Sequence, residues 1–425
     1  MEREIELSRR AALHLRDSGD RARDRGDLQA ATQLYGRAAD LLPEEDATRP
    51  DLLYELARAM SGTERRKDSV EIFRRARDLA QEQGDLRTDW LSRLSLSSTL
   101  MSVDPHAVTT ARFREEIQEA IGIFESLGDE RAQARAWVKL AEAEWMPCRF
   151  GEAIACLTRA HEIARRAEDR QTLDEVTGMI AAATYFGPTA AGEGVERATE
   201  ILADALLIPF ARSVVRGFRG GCQAMLGELD QAREDSEAAD RTLRDFGLPV
   251  WQSVIYLVRG ATAEMYGDPV GAESAHRRAY EILDEAGDQG YLPTAATSLA
   301  AWLAELGRLE EAERFAQIGR EAAAEDDVAS QSGSDAAWAL VLSARGDLDG
   351  AIVAARRSIS VADDSDMYSV LGELHLNLAG ILSKAGRTEE AIASAREALS
   401  FFERKGVVPR ISRTQTFLAD LGASA

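Results

Sequence analysis

A glycine followed five residues later by an alanine recurs along this chain: Gly26 with Ala31, Gly227 with Ala232, Gly267 with Ala272, Gly307 with Ala312, Gly346 with Ala351 and Gly386 with Ala391. The last five glycines are spaced by 40, 40, 39 and 40 residues. Seven positions before each stands another small residue, namely Gly19, Gly220, Gly260, Ala300, Ala339 or Ala379. Cys148, with Ala141 before it and Ala153 after it, fits the same frame, so a cysteine takes a turn position elsewhere held by glycine. Small residues at two fixed places let antiparallel helices approach closely, and the glycine between them supplies the left-handed conformation that ends the first helix.

A second punctuation marks the end of the following helix: Gly84-Asp85, Gly128-Asp129, Glu168-Asp169, Gly287-Asp288, Asp326-Asp327, Asp363-Asp364 and Gly406. Between the marks apolar residues fall at helical spacing, as in Leu299, Leu303, Leu306, then Ala312, Phe315, Ala316. This is the tetratricopeptide pattern, stretched beyond its usual 34 residues because the proline that closes the second helix is found only at Pro43. The expected fold is all-α: a tetratricopeptide-type solenoid of about ten helix-turn-helix repeats of about 40 residues in a right-handed superhelix. That number requires three further turns near residues 65, 106 and 190, supported by Ser69 with Phe73, Asp104-Pro105, and Gly187-Pro188 to Gly194. With no linker rich in Pro, Gly or Ser, residues 1–425 are expected to form a single solenoid, bent near 186–210 where Gly187-Pro188 and Pro209 interrupt the pattern.

Composition narrows the function. A net charge of −22 repels phosphate backbones and anionic membrane surfaces, so neither nucleic acid nor a membrane is an expected partner. The longest uncharged stretches, Val176 to Gly192 and Gln289 to Ala304, are too short and too broken to span a bilayer, and Met1 to Arg10 lacks the apolar segment of a secretory signal. A cytoplasmic protein is expected. Cys148, Cys156 and Cys222 cannot pair fully and form no C-x-x-C motif, so they read as small buried residues.

No Gly-Lys dipeptide occurs, which removes a phosphate-binding loop. The histidines His14, His106, His161, His276 and His375 are scattered, none three or four residues from another, and no metal or cofactor is expected. Gly217, Gly220 and Gly221 read as close helix packing. The groove positions ten and six residues before each turn, Arg16 and Asp20 in the first repeat and Thr297 and Ala301 later, never give the Lys and Asn of a carboxylate clamp, so the central groove is expected to be smooth and apolar.

The middle of the chain gathers Trp145, Tyr185, Phe186, Trp251, Tyr256, Tyr291, Trp302 and Trp338, and Arg212, Arg216 and Arg219 lie within two turns of one helix. Such residues ordinarily fill cores and pair with nearby carboxylates. The functional alternative is a mid-solenoid groove or pocket formed by Arg212, Arg216, Arg219, Trp251, Tyr256, Tyr291 and Trp302.

The stretches FGEAIACLTRAHEIARRAEDR, GDQGYLPTAATSLAAWLAELGRLEEAERFA and AGRTEEAIASAREALSFFERKG, with ARDRGDLQAATQLYGRAADLLPEEDA near the start, resemble the C-terminal repeat region of bacterial class III adenylate/guanylate cyclase-like regulators that contain a signalling ATPase domain. Relatives of that kind carry cyclase and ATPase domains ahead of the repeats. Neither is encoded in these 425 residues, so no catalytic residue carries over. The resemblance implies a non-catalytic sensing or docking module that binds a protein or peptide in its concave groove. Alternatives are a small-molecule sensor and a self-associating scaffold whose terminal helices, around Leu7 to Leu15 or Phe401 to Phe417, expose apolar faces.

Overall fold

The computed structural model describes residues 2–104, 106–205 and 207–423; Pro105, on which one expected break rests, lies outside them. Among the described residues there are 21 helices and no strand. Twenty form hairpins: α1 (Glu2–Asp24) with α2 (Leu28–Asp40), α3 (Arg49–Ser61) with α4 (Arg66–Gln83), α5 (Leu86–Val103) with α6 (Thr110–Leu127), α7 (Glu130–Ala143) with α8 (Phe150–Arg166), and α9 (Arg170–Phe186) with α10 (Ala191–Leu202). The second five are α11 (Pro209–Leu226) with α12 (Leu229–Asp245), α13 (Pro249–Met265) with α14 (Pro269–Ala286), α15 (Leu292–Glu305) with α16 (Leu309–Ala322), α17 (Val328–Ala344) with α18 (Leu348–Ala362), and α19 (Tyr368–Lys384) with α20 (Thr388–Lys405). A lone α21 (Val408–Asp420) follows. The three weakly marked turns therefore fall where expected, between α3 and α4, between α5 and α6, and between α9 and α10.

The punctuation acts by capping. Asp27, Asp85, Asp129, Asp169, Asp268, Asp327 and Asp347 each accept the amide three residues on, satisfying one orphan donor at a helix start. Cys148 has φ 54°, the left-handed value its place in the frame requires, and Glu168 has φ 52°. Small residues sit where backbones converge: a Cβ on Gly19 would lie 2.7 Å from the Tyr35 ring, and one on Gly220 2.9 Å from the Ala232 carbonyl oxygen. Gly217 and Gly221 are likewise filled by Ile255 and Tyr185, which is packing and not ligand contact.

The hairpins coil into two superhelical turns in contact, joined along a seam between residues roughly 220 apart. The loop after α12 meets the α1–α2 turn, where the position of a Gly26 Cβ is 3.6 Å from Phe210 and from Phe246. The loop after α14 meets the α3–α4 turn through Asp288, which accepts from Arg66 at 2.5 Å, and the Gln289 amide donates to the Ser102 carbonyl at 2.8 Å. The loop after α16 places Asp326 on the Thr110 amide (3.2 Å) and the Val328 amide on the Met146 carbonyl (3.1 Å). The loop after α18 sets Asp366 on the amides of Phe150 and Gly151, at 2.8 and 2.7 Å, capping α8, whose own N-cap Arg149 supplies no bond. At the end of α20, Lys405 is fully buried and donates to the carbonyls of Thr184, Gly187 and Thr189 at 2.8, 2.8 and 2.7 Å. Each hairpin of the second turn thus rests on the hairpin five before it.

Candidate functional site

The inner face of the first turn is charged. On α1, Arg16, Asp20 and Arg23 share one face by their spacing, as do Asp51, Glu55 and Arg58 on α3 and Arg131 and Arg135 on α7. These faces meet in two rows of ion pairs that cross the repeats. In the first, Arg16 pairs with one oxygen of Asp51, Arg87 of α5 donates to the other at 3.0 Å, and the Arg87 Nε reaches Asp129, the N-cap of α7, at 2.6 Å. In the second, Arg23, Arg58 (3.1 Å) and Arg135 (3.3 Å) converge on Glu55, and the Arg135 Nε lies 3.9 Å from Asp169, the N-cap of α9.

Glu55 is buried. Burial alone would raise its carboxyl, but Arg58, Arg135 and Arg23 outweigh it and hold the group well below the usual carboxylate range. Burial would likewise lower the Arg135 guanidinium, and Glu55 more than reverses that. Between the rows opens a cleft of about 360 Å³, completed by Asp85, Thr88 and Arg131. Arg131 is exposed, its Nε donating to the Ala167 carbonyl at 3.3 Å.

Farther along the inner face Lys139 bridges Ser98 and Glu142, bonding the carboxylate at 2.7 Å. In the second turn Glu264 accepts from His276 at 2.8 Å and from the Trp302 indole, while Arg410 of α21 pairs with Glu373 of α19. His375 stacks on Phe401. Burial raises the thiols of Cys148, Cys156 and Cys222, the last two to about 11, which keeps them protonated and unreactive near neutrality. No group of three or more His, Cys, Asp or Glu side chains is placed to hold a metal ion among the described residues, and no helix there is long and apolar enough to cross a membrane.

The structure brings the mid-solenoid residues together in subsets: Tyr256 and Tyr291 pack on one apolar cluster, and Trp251 and Tyr291 on another. Arg216 and Arg219 both bond Asp235 of α12, at 2.8 and 2.6 Å, and Arg212 caps the end of α10 through the carbonyls of Leu202 and Asp204, at 2.9 and 2.8 Å. Trp251 packs on Phe210 at the seam, with ring centroids 6.0 Å apart. Tyr256 lies under the Arg259 guanidinium at 4.9 Å, Tyr291 packs in the same apolar cluster as Trp145, and Trp302 is held by Glu264. The void beside Arg219 and Cys222 is about 10 Å³, room for one water. The inner faces of α1, α3, α5 and α7 are instead lined with ionised side chains, a charged surface ahead of the central groove expected from sequence to be smooth and apolar. Their register was hidden in sequence because the α3–α4 and α5–α6 turns lack the glycine that sets the frame; Arg16 and Asp20, in a repeat that has it, do line the cleft.

No family model matches the chain, and no curated protein matches it. Among solved structures it is similar to a Rap protein complexed with competence and sporulation factor, with a TM-score of 0.61 and 18% identity over 89% of this chain and 100% of that one. It is also similar to the APC/C hetero-tetramer Cut9-Hcn1, with a TM-score of 0.51 and 11% identity over 96% of this chain and 92% of that one. At such identities the likeness is one of fold: an all-helical solenoid of tetratricopeptide type.

Proposed function

We propose that this chain is a non-catalytic regulatory module that holds an extended protein or peptide segment along the charged inner face of its first superhelical turn. The observation that carries this reading is the pair of ion-pair rows across α1, α3, α5 and α7 with an open cleft between them. Guanidinium and carboxylate groups alternate there in fixed positions, so a segment bearing both charges finds partners already oriented. The Rap structure is a complex with a factor seated on a chain of this fold, which supports a docking role. The resemblance to the repeat region of cyclase-like regulators supports a place in bacterial signalling. A small-molecule pocket at Arg216 and Trp251 has less support, since those side chains are engaged in packing and pairing.

The test is selection of a binding peptide from a displayed random library, followed by titration of that peptide with variants. Arg87→Ala and Arg131→Ala should each weaken binding about tenfold or more, as loss of a charged contact does. Arg216→Ala should leave it unchanged. Equal loss from all three, or loss from Arg216→Ala alone, would place the site elsewhere.

A further inference from the structure

The seam shows what each kind of loop in this solenoid rests on, and the two outer edges of the molecule carry the same loops uncovered. Within the seam, the loop after α12 presents Phe246, the residue before a left-handed glycine, to Gly26 and to the apolar cluster that Leu28 joins. Leu28 stands two residues after its turn glycine. On the first turn's outer edge, Leu127 occupies the place of Phe246 in its own loop and is 48% exposed, with Leu86 beside the preceding loop at 54%. On the second turn's outer edge, Leu229 occupies the place of Leu28 and is 36% exposed, and Val270 at the next turn is 65% exposed.

Neighbouring atoms make the same distinction. A Cβ on Gly26, Gly247 or Gly287 would meet another turn of the superhelix within 3.6 Å, whereas one on Gly84 or Gly128 at one edge, or on Gly267, Gly307, Gly346 or Gly386 at the other, would meet nothing within 4 Å. The polar half of the contact is also present. In the seam α8 lacks its own cap and takes Asp366; on the free edge α12, α16 and α20 begin at Glu228, Arg308 and Arg387 with no side-chain cap, leaving their first amides open to a carboxylate.

We propose that a second copy of this chain stacks on the first, the outer edge at Leu86 and Leu127 of one resting on the outer edge at Leu229 and Val270 of the other, and so extends the superhelix. The two surfaces differ, so the contact is heterologous and does not close on itself; copies add end to end. The net charge of −22 opposes the approach, so association strengthens as salt screens it.

The experiment is mass measurement by light scattering across a concentration series, from about 0.05 to about 0.5 M salt. Wild type should rise above the 46.4 kDa monomer with concentration, and more so at high salt. Leu127→Asp and Leu229→Asp each remove one edge and should stay monomeric, while their equimolar mixture should form a dimer and nothing larger. Thr158→Asp, exposed in the middle of α8 and remote from the loops of both edges and from the terminal helices, should associate as wild type does. A wild type that stays monomeric throughout overturns the proposal. So does association that survives either edge substitution, association lost in Thr158→Asp, or a mixture that remains monomeric; circular dichroism confirms that each variant keeps its helices.

Discussion

Replacing Lys405 by methionine removes a buried ammonium while keeping nearly the same side-chain length. The ammonium holds the α9–α10 turn to the end of α20 through three carbonyls, those of Thr184, Gly187 and Thr189. Leaving a buried acceptor unpaired costs about 2 kcal/mol, so three cost about 6 kcal/mol. Against this, burial has pushed the lysine from 10.5 down to about 8, the neighbouring Cys222 and Asp366 offsetting it only in part. Relief of that burden returns about 3 kcal/mol. The net expectation is about 3 kcal/mol of weakening, localised at the seam. Amide hydrogen exchange reads it directly: protection at residues 184–191 should fall about 100-fold, the equivalent of that free energy, while α3 and α4 change little. Exchange at the seam within about threefold of wild type would refute the reasoning. The pH dependence follows with a definite sign. Because the folded group titrates below the unfolded one, the unfolded chain binds the extra proton between about pH 8 and 10.5, so the contribution of Lys405 to stability rises with pH across that window, while the raised thiols pull the other way above about pH 9. The difference in stability between wild type and Lys405→Met isolates the lysine and should shift in favour of wild type as pH rises from about 8 to 10.5.

Other perturbations separate the inner face from the rest. Glu55→Gln leaves Arg23, Arg58 and Arg135 facing one another, and should cost about 3–5 kcal/mol in urea unfolding. Because the Glu55 carboxyl is held low, its contribution is present above the unfolded carboxyl range and is lost as pH falls through and below that range; an acid-unfolding curve should show a step missing from Glu55→Gln. Asp366→Ala removes the cap on α8 and should cost about 1–2 kcal/mol, seen as faster exchange at Phe150 and Gly151. Arg219→Ala should lower the denaturation midpoint, since it breaks a paired contact with the buried Asp235, yet leave peptide titrations unaltered.

Most of the fold was legible from the repeating frame. Gly-x-x-x-x-Ala fixed seven of the ten hairpins counting Cys148, and the residue count located the other three. The seam was not legible, because the signals that make it look local. Asp288 and Asp326 read as helix stops and Asp366 lies just past the stop at Asp363-Asp364, and nothing within a 40-residue window says that each also reaches a turn more than 210 residues earlier. That pairing depends on superhelical pitch, which sums small rotations over five hairpins. For the same reason Trp251 and the Arg216–Arg219 stripe looked like a site. Trp251 is taken up by packing on Phe210 of the preceding hairpin, and the arginines by Asp235 on the facing helix, neighbours their own spacing does not reveal. The inner-face rows were written in plain i, i+4 spacings on α1, α3 and α7, but assigning them to one face needed the register of repeats that lack the marker glycine.

The most direct test of the docking account is photo-crosslinking of a selected peptide to two variants, one with a photoreactive residue at the partly exposed Asp20 in the cleft and one at Arg159, exposed on α8. The account predicts that the Asp20 position captures the peptide, that excess unlabelled peptide suppresses the product, and that the Arg159 position gives none. Capture from Arg159 with none from Asp20 would contradict it.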